Sequence, residues 1–219
     1  TSLCGYGRTA ETRRKEDPGM DHEVRLVESI YRHLDKPVHL VGHSFGGTVA
    51  LAAALAATVE VASLSCFEAN PIGLIQDRGD GALYQETLRM SRDFEAAVGA
   101  GERDAPARII DFWGGEGAFA AMPEPVKAYC RDTAEVNVVD WRTAFGYGVT
   151  SLECSSLRVP VLLARGGLAN PAMVAITDAL QESLPQARSA VVEGAGHFLI
   201  SSHPARCAEL LSGFLEAGG

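Results

Sequence analysis

The sequence predicts an α/β protein: a mostly parallel sheet flanked by helices, interrupted by a helical insertion. Three observations carry that prediction. Short β-branched runs alternate with Ala- and Leu-rich stretches near both ends of the chain, the alternation that crossover helices between parallel strands require. Between residues 72 and 157 the strand runs stop, and Gly-interrupted helical stretches replace them. At the junction of the first clear strand and its helix stands Gly42-His43-Ser44-Phe45-Gly46-Gly47.

Taken in order, residues 38–41 (Val-His-Leu-Val) follow Pro37 and read as a short buried strand. Residues 48–58 read as a helix, because Ala and Leu dominate and no breaker intervenes. A second strand spans 61–67 and is closed by Pro71. The insertion holds helical stretches at 82–98, 105–113 and 124–135. It concentrates Phe112, Trp113, Phe119, Tyr129, Trp141, Phe145 and Tyr147, expected to build a small core of its own with a few rings facing a pocket. Beyond it come a strand at 159–164, a helix at 171–184 opened by Pro171, and a strand at 190–192. A last helix at 204–215 has Ser202 or His203 before its opening proline. The expected division is 1–71 with 158–219 as the sheet-bearing core, and 72–157 as a helical cap.

At 219 residues the chain suits one domain with an insertion, and 47% hydrophobic against 21% charged residues is ordinary for a globular protein. A net charge of -9 repels phosphate backbones and anionic bilayers, so neither nucleic acid nor membrane is an expected partner. The basic run Arg13-Arg14-Lys15 is followed at once by Glu16 and Asp17 and reads as a solvated loop. The five cysteines (Cys4, Cys66, Cys130, Cys154 and Cys207) are scattered, with neither CxxC nor metal-ligand spacing. They read as reduced thiols of a cytoplasmic protein; a secreted protein with one or two disulfides is the alternative. No metal or organic cofactor is implied. The first residues do not resemble a signal peptide, and the most apolar stretch, 49–57, is too short to span a bilayer.

The chemistry is carried by the G-x-S-x-G pattern at 42–46. A serine placed between a strand and a helix stands on a tight turn with its hydroxyl thrust out beyond the sheet. Gly42 and Gly46 are expected to allow the close approaches of that turn. The Phe45 N–H, at the helix start, lies where an oxyanion would form. His197, in the Gly-rich stretch Glu193-Gly194-Ala195-Gly196-His197-Phe198 after the last strand, has the right chain order for the general base. Of the other histidines, His43 is expected to turn towards the packed sheet and His203 to open a helix. His22, His33 and His39 have no supporting pattern.

These motifs resemble those of the α/β-hydrolase family over nearly the whole chain. Ser2-Leu3-Cys4-Gly5-Tyr6-Gly7-Arg8-Thr9 is similar to the family's Gly-x-Gly loop after its fourth strand, with Ser2 and Thr9 in place of the usual Asp and Ser. The insertion between Pro71 and Val159 lies where the family places its cap, and His203-Pro204 follows the histidine loop at the typical distance. The resemblance implies an eight-stranded sheet, a Ser–acid–His triad and a substrate pocket beneath the cap. Many members carry the acid in a Gly-x-x-Asp loop, which here is Gly166-Gly167-Leu168-Ala169-Asn170-Pro171 and holds no carboxylate. The family's other position for it falls in Phe67-Glu68-Ala69-Asn70-Pro71, so Glu68 takes the role. The competing reading has Glu68 capping the hinge of the insertion and Asn170 orienting His197, but an amide does not offset imidazolium charge. Glu193 and Asp178 are weaker candidates.

The expected reaction is cleavage of a carboxylic ester or related acyl bond in a small molecule through an acyl-enzyme. The alternatives are carbon–carbon hydrolysis of a diketone-like acid and a non-catalytic binding module of the same fold. A nucleophilic serine argues against the dehalogenase and epoxide-hydrolase chemistries of the family, which use aspartate there. One further expectation is a separate upstream segment or chain of roughly 60–80 residues completing the sheet. A sequence that begins partway along the protein is one explanation; processing that exposes Thr1 is another.

Overall fold

The structure is a computed structural model that describes residues 1–34 and 36–218. A loop at residues 1–20 leads into α1 (Asp21–Tyr31). The first strand, β1 (Val38–His43), passes straight into α2 (Phe45–Ala56), and the chain returns through β2 (Val61–Phe67). Helix α2 is apolar all round, and every residue from Gly47 to Ala54 is buried. A helix of that character needs cover on each side; here the sheet, α1 and the insertion supply it.

The insertion is entirely helical: α3 (Gly73–Asp77), α4 (Gly81–Gly99), α5 (Ala107–Gly114), α6 (Ala118–Ala121), α7 (Glu124–Asp132), α8 (Ala134–Gly146) and α9 (Ser151–Cys154). Its starts are locally encoded. Asp80 accepts from the Leu83 N–H at the head of α4, and Thr150 and Glu153 form a reciprocal capping box at α9. The single helix expected over 124–135 is instead two, broken at Thr133 (φ −102°, ψ 7°). Nor do the aromatic rings form a separate core. Trp113 and Trp141 belong to the same buried cluster as Leu64, Ile72, Leu163 and Ile176, so insertion and sheet share one interior.

The chain then continues through β3 (Val161–Gly166), α10 (Pro171–Ser183), β4 (Ala187–Val192), α11 (Leu199–Ser202) and α12 (Pro204–Glu216). The four described strands are parallel, in the order β1-β2-β3-β4. Four strands are thus described where the resemblance implied eight. The outer edge of β1 has no strand beside it among the described residues, and Val41 on β1 is 48% exposed. Among the described residues no helix is long and apolar enough to cross a membrane.

Register places the site. His43 pairs with Phe67, Phe67 with Ala164, and Gly166 with Val192. All four strands therefore end at the same edge, where the carboxyl ends of parallel strands open a crevice.

Candidate active site

Ser44 is the one-residue hinge between β1 and α2. Its backbone (φ 53°, ψ −127°) lies in a region that non-glycine residues rarely occupy. The turn is pinned from behind, because the Ser44 N–H donates to the Phe67 carbonyl at 3.0 Å. It is also tight: a Cβ on Gly42 would lie 2.2 Å from the Gly46 carbonyl oxygen, and one on Gly47 2.8 Å from Ala69 Cβ. Gly46 corrects the sequence expectation, since a Cβ there meets nothing within 4 Å. Phe45 opens α2, so its N–H has no acceptor within the helix and is free to serve a ligand beside Ser44.

Three predicted residues come together beyond the strand ends. The Ser44 hydroxyl lies 3.0 Å from His197 Nε2, and His197 Nδ1 lies 2.7 Å from Glu68 Oε2. Glu68 and His197 are buried, at 1% and 4% exposure. A carboxylate only accepts, so Nδ1 carries the proton and donates to Glu68, leaving the Nε2 lone pair facing Ser44. Glu68 has a positive φ of 49°, which turns its side chain away from strand geometry and over the end of β3. There its Oε1 accepts the Gly166 N–H at 2.7 Å, while its own N–H donates to the Ala164 carbonyl at 2.8 Å.

Asn170 stands elsewhere. Its Oδ1 accepts the Ala172 N–H at the head of α10 and its Nδ2 donates to the Phe112 carbonyl, both at 2.8 Å. It caps a helix and ties it to α5, and does not touch the imidazole. Asp178 lies within α10, Glu193 is exposed, and His203 precedes α12.

His43 corrects another expectation. It turns not into the sheet but along the cavity wall, where its Nε2–H donates to the His197 carbonyl at 2.8 Å and the two rings lie 4.9 Å apart. Burial, and then the neighbouring imidazole, push its pKa down to about 4, so it is neutral near pH 7. The His197 loop is also packed from below and above. A Cβ on Gly166 would lie 2.2 Å from the Ala195 carbonyl oxygen, and one on Gly114 of α5 2.5 Å from the Phe198 ring.

Sequence reasoning missed a second cluster. Arg13, read as part of a solvated run, has a fully buried side chain. It pairs with Glu11 and Asp140 at 2.7 Å and with Glu23 at 3.3 Å. Its neighbours Arg14 and Lys15 are exposed, as expected. On the surface, Asp17, Asp21 and His22 bring three possible donor atoms within 4.8 Å of one another. His22 is already hydrogen-bonded to Thr12 and Asp17, and exposed acidic groups alone do not make a metal centre.

The Ser44–His197–Glu68 chain opens on a cavity of about 680 Å³ roofed by the insertion. Its apolar wall includes Phe45, Phe94, Ile110, Phe198 and the stacked pair Trp113–Trp141, whose planes are 8° apart. Asn70 lines it too, buried at 2% exposure, its Oδ1 taken by the Thr48 hydroxyl at 2.8 Å.

A parallel α/β sheet with a serine elbow at one strand end and a helical roof over it defines the class. A model of the Alpha/beta hydrolase family matches residues 4–210, and the chain belongs to that family. Among solved structures it is similar to MenH from S. aureus (TM-score 0.75, 16% identity, covering 99% of this chain and 82% of that one). It is likewise similar to a bromoperoxidase from Bacillus anthracis (0.73, 18%, 98% and 80%). An esterase from Exiguobacterium antarcticum matches with a TM-score of 0.70 at 17% identity, over 98% of this chain and 80% of that one. Identities this low establish the fold alone. No curated protein sequence matches the chain.

Proposed function

We propose that the protein is a serine hydrolase that cleaves a carboxylic ester or related acyl bond through an acyl-enzyme. The observation that carries this reading is the continuous hydrogen-bond chain from Ser44 through His197 to Glu68 at the floor of an apolar cavity. In the first half-reaction Ser44 Oγ attacks the carbonyl carbon as His197 Nε2 takes its proton. The charge that develops on the carbonyl oxygen faces the Phe45 N–H. Collapse expels the alkoxide, which takes the proton back from His197. Water then attacks the acyl-enzyme by the same route and frees Ser44. Glu68, held by the Gly166 N–H, keeps the imidazole in the correct tautomer and stabilises its protonated form.

The helical roof also suits the second reading, carbon–carbon hydrolysis of a diketone-like acid, which would use the same three side chains. A non-catalytic binding module is disfavoured, because a strained serine aligned on a buried imidazole has no value for binding alone. The test is a hydrolysis screen of esters graded by acyl length, alongside one ring-cleavage diketone. Turnover of esters, with none of the diketone, supports the proposal. Turnover of the diketone alone would replace it with the second reading, and turnover of neither would favour the module.

Two further proposals go with this one. A cytoplasmic, reducing compartment is supported by five free thiols, four of them buried. A polypeptide partner along the outer edge of β1, from a further segment or another chain, is supported by the lack of a strand beside that edge among the described residues.

A further inference from the structure

The wall of the cavity carries polar groups that acyl transfer does not use. Gly5 and Gly7, at φ 79° and 59°, let the early loop carry Tyr6 across to α8. There the Tyr6 hydroxyl donates to Asp140 Oδ2 at 2.6 Å. Asn137, one turn earlier on α8, donates its Nδ2 to the same oxygen at 3.2 Å and to Tyr6 Oη at 3.4 Å. Tyr6, Asn137 and Asp140 all line the cavity. Behind them Arg13 donates to Asp140 Oδ1 at 2.7 Å and to the Cys4 carbonyl at 3.1 Å, and sits 6.0 Å from the Phe45 ring centroid.

The polarity of this patch is fixed. Asp140 Oδ1 accepts from the Arg13 guanidinium and its Oδ2 from both Tyr6 and Asn137, so the hydroxyl hydrogen of Tyr6 and the side-chain amide hydrogens of Asn137 are drawn inward. What these bonds leave free is the second lone pair of Tyr6 Oη and the side-chain oxygen Oδ1 of Asn137, which has no donor among the described residues. Both are acceptors. Charge points the same way. Among the described residues no Lys or Arg lines the cavity, and Asp140 is the one carboxylate that does. Arg13 faces three carboxyl groups and has no positive charge to spare. Burial raises the Asp140 and Glu23 pKa values while Arg13 opposes the rise.

We propose that Tyr6 and Asn137, oriented by Asp140 and Arg13, form a specificity site for a hydrogen-bond donor on the substrate, a hydroxyl or ammonium group, and that the cavity rejects a carboxylate there. The inference rests on the acyl-transfer reading and names its substrate class: neutral or cationic hydroxy- or amino-substituted esters with an apolar body against Trp113 and Trp141. It sets the carbon–carbon substrates, which are acids, at a disadvantage.

The test uses two ester series of matched length, one varied at the far end of the acyl group and one at the far end of the alcohol. Each ends in methyl, hydroxyl, ammonium or carboxylate. In at least one series kcat/KM for the hydroxyl or ammonium ester should exceed that of the carboxylate ester by about tenfold or more. Tyr6→Phe and Asn137→Leu should narrow that ratio, chiefly through KM. The wild-type ratio decides alone if either variant fails to fold. Carboxylate esters cleaved as well as or better than the others, while the methyl esters turn over, would overturn this site and leave the acyl-transfer reading standing. No turnover of any ester, methyl included, would remove the acyl-transfer reading and this inference with it.

Discussion

Glu68 reaches His197 only because its backbone leaves the strand with a positive φ, a conformation that costs on the order of 1–3 kcal/mol and persists where surrounding contacts enforce it. The proposed mechanism needs its charge, not merely its shape. Glu68→Gln should therefore lower kcat by roughly a thousandfold or more with the fold intact. Asn170→Ala should remove a helix cap, costing about 1 kcal/mol in urea unfolding, while leaving kcat within a few-fold. The reverse ranking would move the orienting role to Asn170. His43 supplies a pH signature. Its folded pKa of about 4 lies below the ordinary 6.5, so the folded state binds fewer protons than the unfolded one, and stability falls as pH drops through that window. The difference in unfolding free energy between wild type and His43→Gln should change between about pH 6.5 and 4 and stay flat above it. Ser44, His197 and Glu68 were legible in the sequence because each lies in a short local pattern after a strand. Arg13 was not: its partner Asp140 is 127 residues away, and only the folded chain shows why one arginine of a basic run goes inside. The orientation of His43 was hidden for the same reason, its acceptor lying 154 residues on.

At the scale of elements, the turn from β1 into α2 is held by contacts that no side chain larger than hydrogen satisfies. Gly42→Ala should place its methyl against the Gly46 carbonyl and cost roughly 1–3 kcal/mol, with loss of activity. Gly46→Ala meets open space and lies within α2, so it should be neutral or stabilise by up to about 1 kcal/mol. Thermal unfolding of the two variants side by side checks this; equal destabilisation would contradict it. Strands and their helices were readable because buried β-branched runs and Ala-rich stretches differ in composition. The observed strand Val61–Phe67 coincides with its prediction, whereas Ala187–Val192 begins three residues before it. The opening residues of that strand, Ala187, Arg188 and Ser189, carry no apolar run, and pairing with β3 recruits them. Helix α1 went unread because its polar residues mask a narrow apolar face, Val24 and Val27, that packs on Val49 and Ala52 of α2.

For the whole molecule, the sheet decides what the active site can rely on. β2 and β3 are flanked on both sides, but of the three site residues only Glu68 follows one of them; Ser44 hangs from the end of β1 and His197 from the loop after β4, and β1 offers one edge without a strand among the described residues. Hydrophobic parallel strands are seldom left open, so the proposed partner along β1 predicts association. Native mass spectrometry of the purified 219-residue chain should show self-association or a bound polypeptide, and a monodisperse, fully active monomer would remove that proposal. The central claim is tested more directly by covalent labelling with a fluorophosphonate, read by intact mass and peptide mapping. One adduct is expected, on Ser44, absent from Ser44→Ala; a folded wild-type protein that stays unlabelled, or takes the adduct at another residue, would overturn Ser44 as the nucleophile.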